Sequence, residues 1–444
     1  MKKMTAMILT AAITASMVTP VFAGEGEPDA QPGVKKVYTI NHTLGDGQKV
    51  TNVVLEYTDE IDAGSLSLDT YEVENRVITA VHTNAEAAET EEDVPGNFVV
   101  LDLEVQNPIL DDRYATDGRI DQQVVIDTAS VIQKADVSTV NGTVIAAGDE
   151  VYTTSAGEGG IMGNDAIKTP DMDRFEDNHY YNDPDTHVIL HYNFFKPEGY
   201  EESGEKYPLV LFIPDASAVG KDWETVLQCG NGGTIWAEPE WQAENPCFIV
   251  TMIYEDKYIN DYNEYYESWL TGTMNLIRDV AQTYPVDENR IYTTGTSMGA
   301  MASMLMMEED PDLFAAAYMV AGQWRDTEAV KDICNENILF LMSQDDPSYS
   351  RAADNVDTWE REGGTVARGD LDATAPDEER TAMVEELLSQ DANIYFLSIL
   401  EGYGSVDADG NPLKGGHRAT FRVAYDLGGV KEWLFAQTKY TRGS

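Results

Sequence analysis

The chain has 444 residues, enough for two domains. Its 79 acidic against 29 basic residues give a formal charge of −50, which excludes nucleic acid as a partner, because phosphate binding needs a basic face, and argues against an anionic membrane surface. With 42 % hydrophobic residues, 9 % aromatics and three cysteines, neither a disordered chain nor a disulfide framework fits.

Lys2 and Lys3 precede an apolar run from Met4 to Val18, and Val21-Phe22-Ala23 offers small residues at cleavage subsites. Residues 1–23 read as a secretory signal peptide cut after Ala23, so the mature protein is expected to be secreted, extracellular or periplasmic. The run is short for a membrane span and no cysteine lies near it for a lipid anchor. The acidic surface is expected to be solvated and to keep the protein soluble. Cys229 and Cys247 either pair in an oxidising compartment or are buried free thiols; Cys334 is left over.

Residues 34–150 read as short strands. Val37–Ile40, Val53–Tyr57, Val77–Val81, Phe98–Val105 and Val124–Ile126 are rich in β-branched and aromatic residues, with Leu101–Val105 alternating strictly. Turn signals such as Gly45-Asp46-Gly47 and Asn141-Gly142 separate them. The pattern predicts a small all-β sandwich of immunoglobulin type. Residues 151–183, rich in Gly, Asp and Asn, read as a linker or an irregular wrap between domains.

From 184 to 440 strand-like runs alternate with helical ones: His187–Phe195, Leu209–Ile213, Phe248–Ile253, Arg290–Thr294, Ala315–Val320, Ile338–Met342 and Ile394–Leu400. Trp269, Thr273, Leu276, Ile277 and Val280 fall at helical spacing, and that helix must stop before Pro285. Such alternation implies a mostly parallel sheet with helices on both faces.

The segment Arg290 to Gly299 is a strand running into Gly295-Thr296-Ser297-Met298-Gly299, followed by an apolar helix through Met301, Met304 and Leu305. A serine on a tight strand-to-helix turn is exposed above the sheet's carboxyl end, and the flanking glycines allow close backbone approach. The helix amino terminus supplies N–H groups for an oxyanion. The methionines of the helix read as core packing.

A serine nucleophile needs a base. In hydrolases that mount serine on such an elbow, the acid and then the histidine follow it. His417 is the one histidine after Ser297, expected in a loop beyond the last strand. The acid is expected just past Ile338–Met342, where Asp345 and Asp346 adjoin; Asp346 is favoured and Asp345 is the alternative. The oxyanion donors are expected to be the N–H of Met298 and that of Asp215 or Ala216, since Pro214 has none, with the Asp215 side chain pointing away.

These residues resemble the α/β-hydrolase superfamily, and within it secreted esterases with an immunoglobulin-like N-terminal domain, similar to polyhydroxyalkanoate-depolymerase-like, feruloyl-esterase-like and "predicted peptidase" proteins. Tyr207–Phe212 resembles the family's opening strand, and Val286–Tyr292 precedes the elbow as in the family. Asp345-Asp346-Pro347 resembles its acid loop, and Gly416-His417 with Tyr425 and Glu432–Phe435 its closing segment. Asp46–Val50 through Leu55–Tyr57 resembles the start of its N-terminal module. Two departures stand out: Pro214-Asp215 replaces His-Gly after the opening strand, and Ala300 replaces a glycine often found after the elbow.

The implied chemistry is acyl transfer to water, needing no metal or organic cofactor. Asp407–Asn411 reads as a hairpin turn rather than a calcium loop. The expected substrate is a carboxylic ester, either a plant-polysaccharide acyl or feruloyl ester or a polyester. Trp223, Tyr254 and Trp324 are the candidate substrate-binding residues. Peptide hydrolysis by the same triad and glycan binding on a non-catalytic hydrolase scaffold are the competing readings. The N-terminal module is expected to bind substrate, seal the active-site edge or mediate oligomer contacts.

Overall fold

The computed structural model describes residues 33–45, 47–105, 129–154, 167–228, 230–260, 262, 264–403 and 416–440. The expected signal segment 1–23, the strand expected at 124–126, Cys229 and the turn expected at 407–411 lie outside the described residues.

The N-terminal region builds a five-stranded sheet in the spatial order Ile167–Lys168, Val34–Leu44, Gly47–Tyr57, Phe98–Leu103, Ile78–Asn84. A three-stranded sheet, Tyr71–Val73, Ser130–Gln133 and Val151–Thr153, faces it. One apolar cluster joins the two, with Val53, Leu55 and Tyr57 from the first sheet meeting Tyr71 and Val131 from the second. Alternation in the strands puts these side chains on one face. Within this core the Tyr57 hydroxyl donates to Gln133 Oε1 at 2.9 Å and lies 2.8 Å from the Tyr71 hydroxyl, so its polar end is satisfied where the sheets meet.

The second region is a nine-stranded sheet in the order Glu176–Asn182, Ile189–Phe195, Phe248–Ile253, Tyr207–Ile213, Val286–Thr296, Ala316–Val320, Ile338–Ser343, Ile394–Ile399, Val366–Leu371. The first two strands are antiparallel to their neighbours and the rest are parallel. Tyr207–Ile213, Phe248–Ile253 and Ala316–Val320 are buried at every position, as strands covered on both faces must be. The helix Glu267–Thr283 covers one side and stops two residues before Pro285.

Tyr207–Ile213 lies between Phe248–Ile253 and Val286–Thr296. The chain therefore leaves this strand to one side and returns on the other. At such a reversal the loops diverge and open a crevice at the carboxyl ends.

The stretch 151–183 is not a linker throughout. Val151–Thr153 completes the small N-terminal sheet, Ile167–Lys168 pairs in parallel with Thr39 and Ile40, and Glu176–Asn182 is the edge of the large sheet. That edge strand, Glu-Asp-Asn-His-Tyr-Tyr-Asn, is largely exposed, so its composition carries no burial signal. Val366–Leu371, at the other edge, has only two buried positions, Ala367 and Leu371, and so carries little burial signal. Cys247 is a free, buried thiol that accepts from Gln242 Nε2 at 3.1 Å, which is the buried-thiol alternative.

The two regions touch where the turn between Val34–Leu44 and Gly47–Tyr57 meets the helix Gly416–Ala424. A Cβ on Gly45 would lie 2.3 Å from the Arg422 carbonyl oxygen, so only glycine permits this approach. Nearby, His42 lies 2.8 Å from Asp171 Oδ1 and 3.0 Å from Glu89 Oε1, tying the first strand to the connecting segment.

Candidate active site

The strand Val286–Thr296 is buried from Ile291 onward and delivers the chain to Ser297 at the carboxyl end of the sheet. Ser297 has φ 52° and ψ −107°, a left-handed conformation for a non-glycine residue. Such backbone costs on the order of 1–3 kcal/mol and survives only where its surroundings enforce it. Here they do: the Ser297 N–H donates to Val320 O at 2.8 Å, and Ser297 O accepts from Met301 N at 3.0 Å. The flanking glycines are steric necessities. A Cβ on Gly299 would lie 1.9 Å from Ile213 O, and one on Gly295 2.6 Å from the same atom.

His417 lies in the first turn of the helix Gly416–Ala424, not in the loop expected from sequence. The Gly-Gly before it suggested a loop, but Gly416 serves contact. A Cβ there would lie 2.4 Å from Ser343 Oγ and 2.8 Å from Asp345 Cβ, so glycine lets the helix start hard against the acid-bearing loop.

The His417 Nδ1 lies 2.5 Å from Asp346 Oδ2, and its Nε2 lies 2.9 Å from Ser297 Oγ. A carboxylate only accepts, so Nδ1 carries the proton and the neutral ring presents Nε2 as acceptor to the serine hydroxyl. Asp346 is buried and is braced by the Ser348 N–H at 2.7 Å on its other oxygen. Asp345 turns elsewhere, accepting from the Gly402 N–H at 2.6 Å. Burial pulls the His417 pKa down, but the hydrogen bond and charge of Asp346, aided by Asp215, outweigh it, and the net direction is upward.

Met298 opens the helix Met298–Glu309, so its N–H has no acceptor within that helix. Ala216 and Met298 line the same cleft as Ser297, Asp346 and His417. The Asp215 side chain accepts from Ser217 Oγ at 2.7 Å and reaches Arg418 at 3.4 Å. The cleft has a volume of about 360 Å³.

None of Trp223, Tyr254 and Trp324 lines this cleft. Tyr254 and Trp324 are buried core residues: the Tyr254 hydroxyl is 3.0 Å from Thr273 Oγ1, and the Trp324 backbone is clasped by the Asn355 amide at 2.8 and 2.7 Å. Trp223 packs on Ala218, Val226 and Ile253. Large aromatic surface gains most by leaving water completely, and that packing claims these rings. The walls instead mix the polar Lys257, Asn260, Gln323 and Arg351 with the apolar Ile259, Met298, Met301 and Pro347. Sequence reading missed the four polar residues. Gln323 and Arg351 follow the strands Ala316–Val320 and Ile338–Ser343, and the rule that carboxyl-end loops form the crevice was the signal for both.

Residues 36–146 match the family described as esterase Ig-like N-terminal domain, and residues 270–404 match the prolyl oligopeptidase family. The latter span holds Ser297 and Asp346 and ends before His417. No curated protein matches the chain. Among solved structures, a thermostable esterase is similar over 91 % of this chain and 100 % of its own, with a TM-score of 0.68 and 24 % identity. The feruloyl esterase module from Clostridium thermocellum, as an S954A mutant complexed with sinapinate, covers 57 % of this chain and 87 % of its own at TM-score 0.38 and 13 % identity. Oligopeptidase B from Leishmania major covers 69 % of this chain and 42 % of its own at TM-score 0.34 and 11 % identity. The chain thus has an α/β-hydrolase fold, and the two family matches support a serine hydrolase with an esterase-type immunoglobulin-like domain before the catalytic one.

Proposed function

We propose that the protein hydrolyses carboxylic esters through Ser297, His417 and Asp346. The observation that carries this reading is the continuous relay from Ser297 Oγ to His417 Nε2 at 2.9 Å and from Nδ1 to Asp346 at 2.5 Å. His417 takes the hydroxyl proton as Ser297 Oγ attacks the ester carbonyl. The N–H groups of Met298 and of Ala216 or Asp215 hold the oxyanion, each such donor contributing about 10²–10³ in rate. Collapse expels the alcohol, which receives the proton from His417. Water then repeats the sequence on the acyl-enzyme and releases the acid. The residues of the relay complete this chemistry without calling on a metal or cofactor.

Polymeric or sugar-linked esters are the proposed substrates. Tyr262, Tyr265 and Tyr266 are exposed, and Tyr265 bridges to cleft-lining Ile259, so a flat group has rings to rest on outside the cleft. Removal of residues 1–23 and release from the cytoplasm complete the proposal. A second reading, peptide hydrolysis, draws on the match to the prolyl oligopeptidase family. Turnover of p-nitrophenyl acetate and of peptide anilides, each repeated with Ser297→Ala, tests both. Ester turnover lost in Ser297→Ala is expected; anilide turnover alone would favour the peptidase, and ester turnover unchanged by the substitution would defeat the site.

A further inference from the structure

We propose that Arg351 and Gln323 form a subsite for a carboxylate carried by the substrate, so that the favoured esters are acidic ones. The proposal rests on the ester-hydrolase reading above and assigns its substrate class.

The chain as a whole repels anions, with a formal charge of −50. The wall of the cleft departs from that. Gln323 is 2 % exposed, and its Nε2 has no hydrogen-bond partner among the described residues. Its Oε1 accepts from Arg351 Nε at 3.1 Å. That bond fixes the amide's orientation and leaves the NH2 group as the unused end. Buried donors are rarely left so, and Gln323 is among the residues that line the cleft.

Arg351 is equally unusual in its setting. Arg278, Arg290, Arg361, Arg368 and Arg380 each pair with a carboxylate. Arg351 makes no ion pair among the described residues. It is held by neutral groups, Gln323 and, through Nη2 at 2.7 Å, Ser348 Oγ. Two hydrogen bonds thus orient the guanidinium without neutralising it, and its Nη1 makes no hydrogen bond among the described residues. A planar guanidinium held this way matches the two oxygens of a carboxylate. Lys257, also on the wall and without an ion pair among the described residues, adds positive charge to the same space.

Such a carboxylate sits either on the acyl chain or on the alcohol. Monoethyl adipate against ethyl hexanoate probes the first, and 4-acetoxybutanoate against butyl acetate the second. Wild type is expected to favour the charged member of one pair by about tenfold or more in kcat/KM. The favoured pair names the side. Arg351→Met is expected to abolish the preference and Gln323→Glu to reverse it; Gln323→Glu carries the comparison should Arg351→Met not fold. Absence of preference in wild type, or a ratio unmoved by either substitution, overturns the subsite. Loss of turnover on all four esters would instead defeat the ester reading. Adipate protection of Ser297 against a fluorophosphonate needs no turnover. Protection in wild type that Arg351→Met loses supports the subsite, and its absence in wild type overturns it.

Discussion

The carboxylate of Asp215 stands 3.4 Å from the guanidinium of Arg418, the residue next to His417. This contact links the proposed oxyanion loop to the proposed base, and the two charges act on the imidazole in opposite senses: Asp215 raises its pKa and Arg418 lowers it. In Asp215→Asn the raising charge goes and the lowering one stays. The acid limb of the kcat/KM profile for a neutral ester is therefore expected to move to lower pH, and Arg418→Gln is expected to move it to higher pH. Profiles that coincide with wild type in both variants would show that the limb does not report His417.

The adjacent aspartates separate by role. Asp346→Asn replaces the acceptor that holds the Nδ1 proton, and a loss of about 10⁴ in kcat is expected. Among the described residues the Asp345 carboxylate meets the Gly402 N–H and not the relay, so Asp345→Asn is expected to retain most activity. Steady-state kinetics of the two purified variants check this; equal losses would mean that the loop, rather than the hydrogen bond, matters.

Gly416→Ala forces a methyl group against Ser343 Oγ and the Asp345 backbone. The histidine helix must shift, at the cost of about 1–3 kcal/mol common for overpacking. A drop in kcat larger than the drop in thermal stability accounts for is expected, because displacement falls on the Ser297–His417 distance. Matching kcat to wild type at a lowered Tm would refute it.

His42 gives the junction between the two regions a pH dependence. Burial alone would lower its pKa, but hydrogen bonds and charges of Asp171 and Glu89 push it up from 6.5 to about 10. A folded-state pKa above the unfolded one gives stabilisation that is complete below pH 6.5 and is lost as pH rises through about 10. The difference in Tm between wild type and His42→Asn is expected to be largest near neutral and mildly acid pH and to vanish above about pH 10. Thermal unfolding across that range measures it.

The sandwich, the parallel sheet and the elbow were legible because each writes its physics into neighbouring residues. Alternation marks half-buried strands, continuous apolar runs mark Leu209–Ile213 and Phe248–Ile253, and Gly295-x-Ser297-x-Gly299 marks a turn that admits no Cβ. Ser297, Asp346 and His417 are 120 residues apart at the extremes, yet chain order after the elbow picked out the three that converge. What escaped was set by contacts distant in sequence. Glu176–Asn182 is a strand because Ile189–Phe195 pairs with it, not because its composition favours one. Gly416 reads as loop composition but is glycine to fit against Ser343. Tyr254 and Trp324 resemble binding aromatics in a list of residues, while packing alone decides that they are interior.

The seat of Gly45 against the Arg422 carbonyl has a consequence for the history of such proteins. A domain strung on a free tether is exchanged among genes at little cost. Here the two modules are machined to one another at a seam a single methyl group would pry open, five residues beyond His417 on the same helix. Recombination that replaced either partner alone would spoil the joint, so the two are bound to be inherited as a unit.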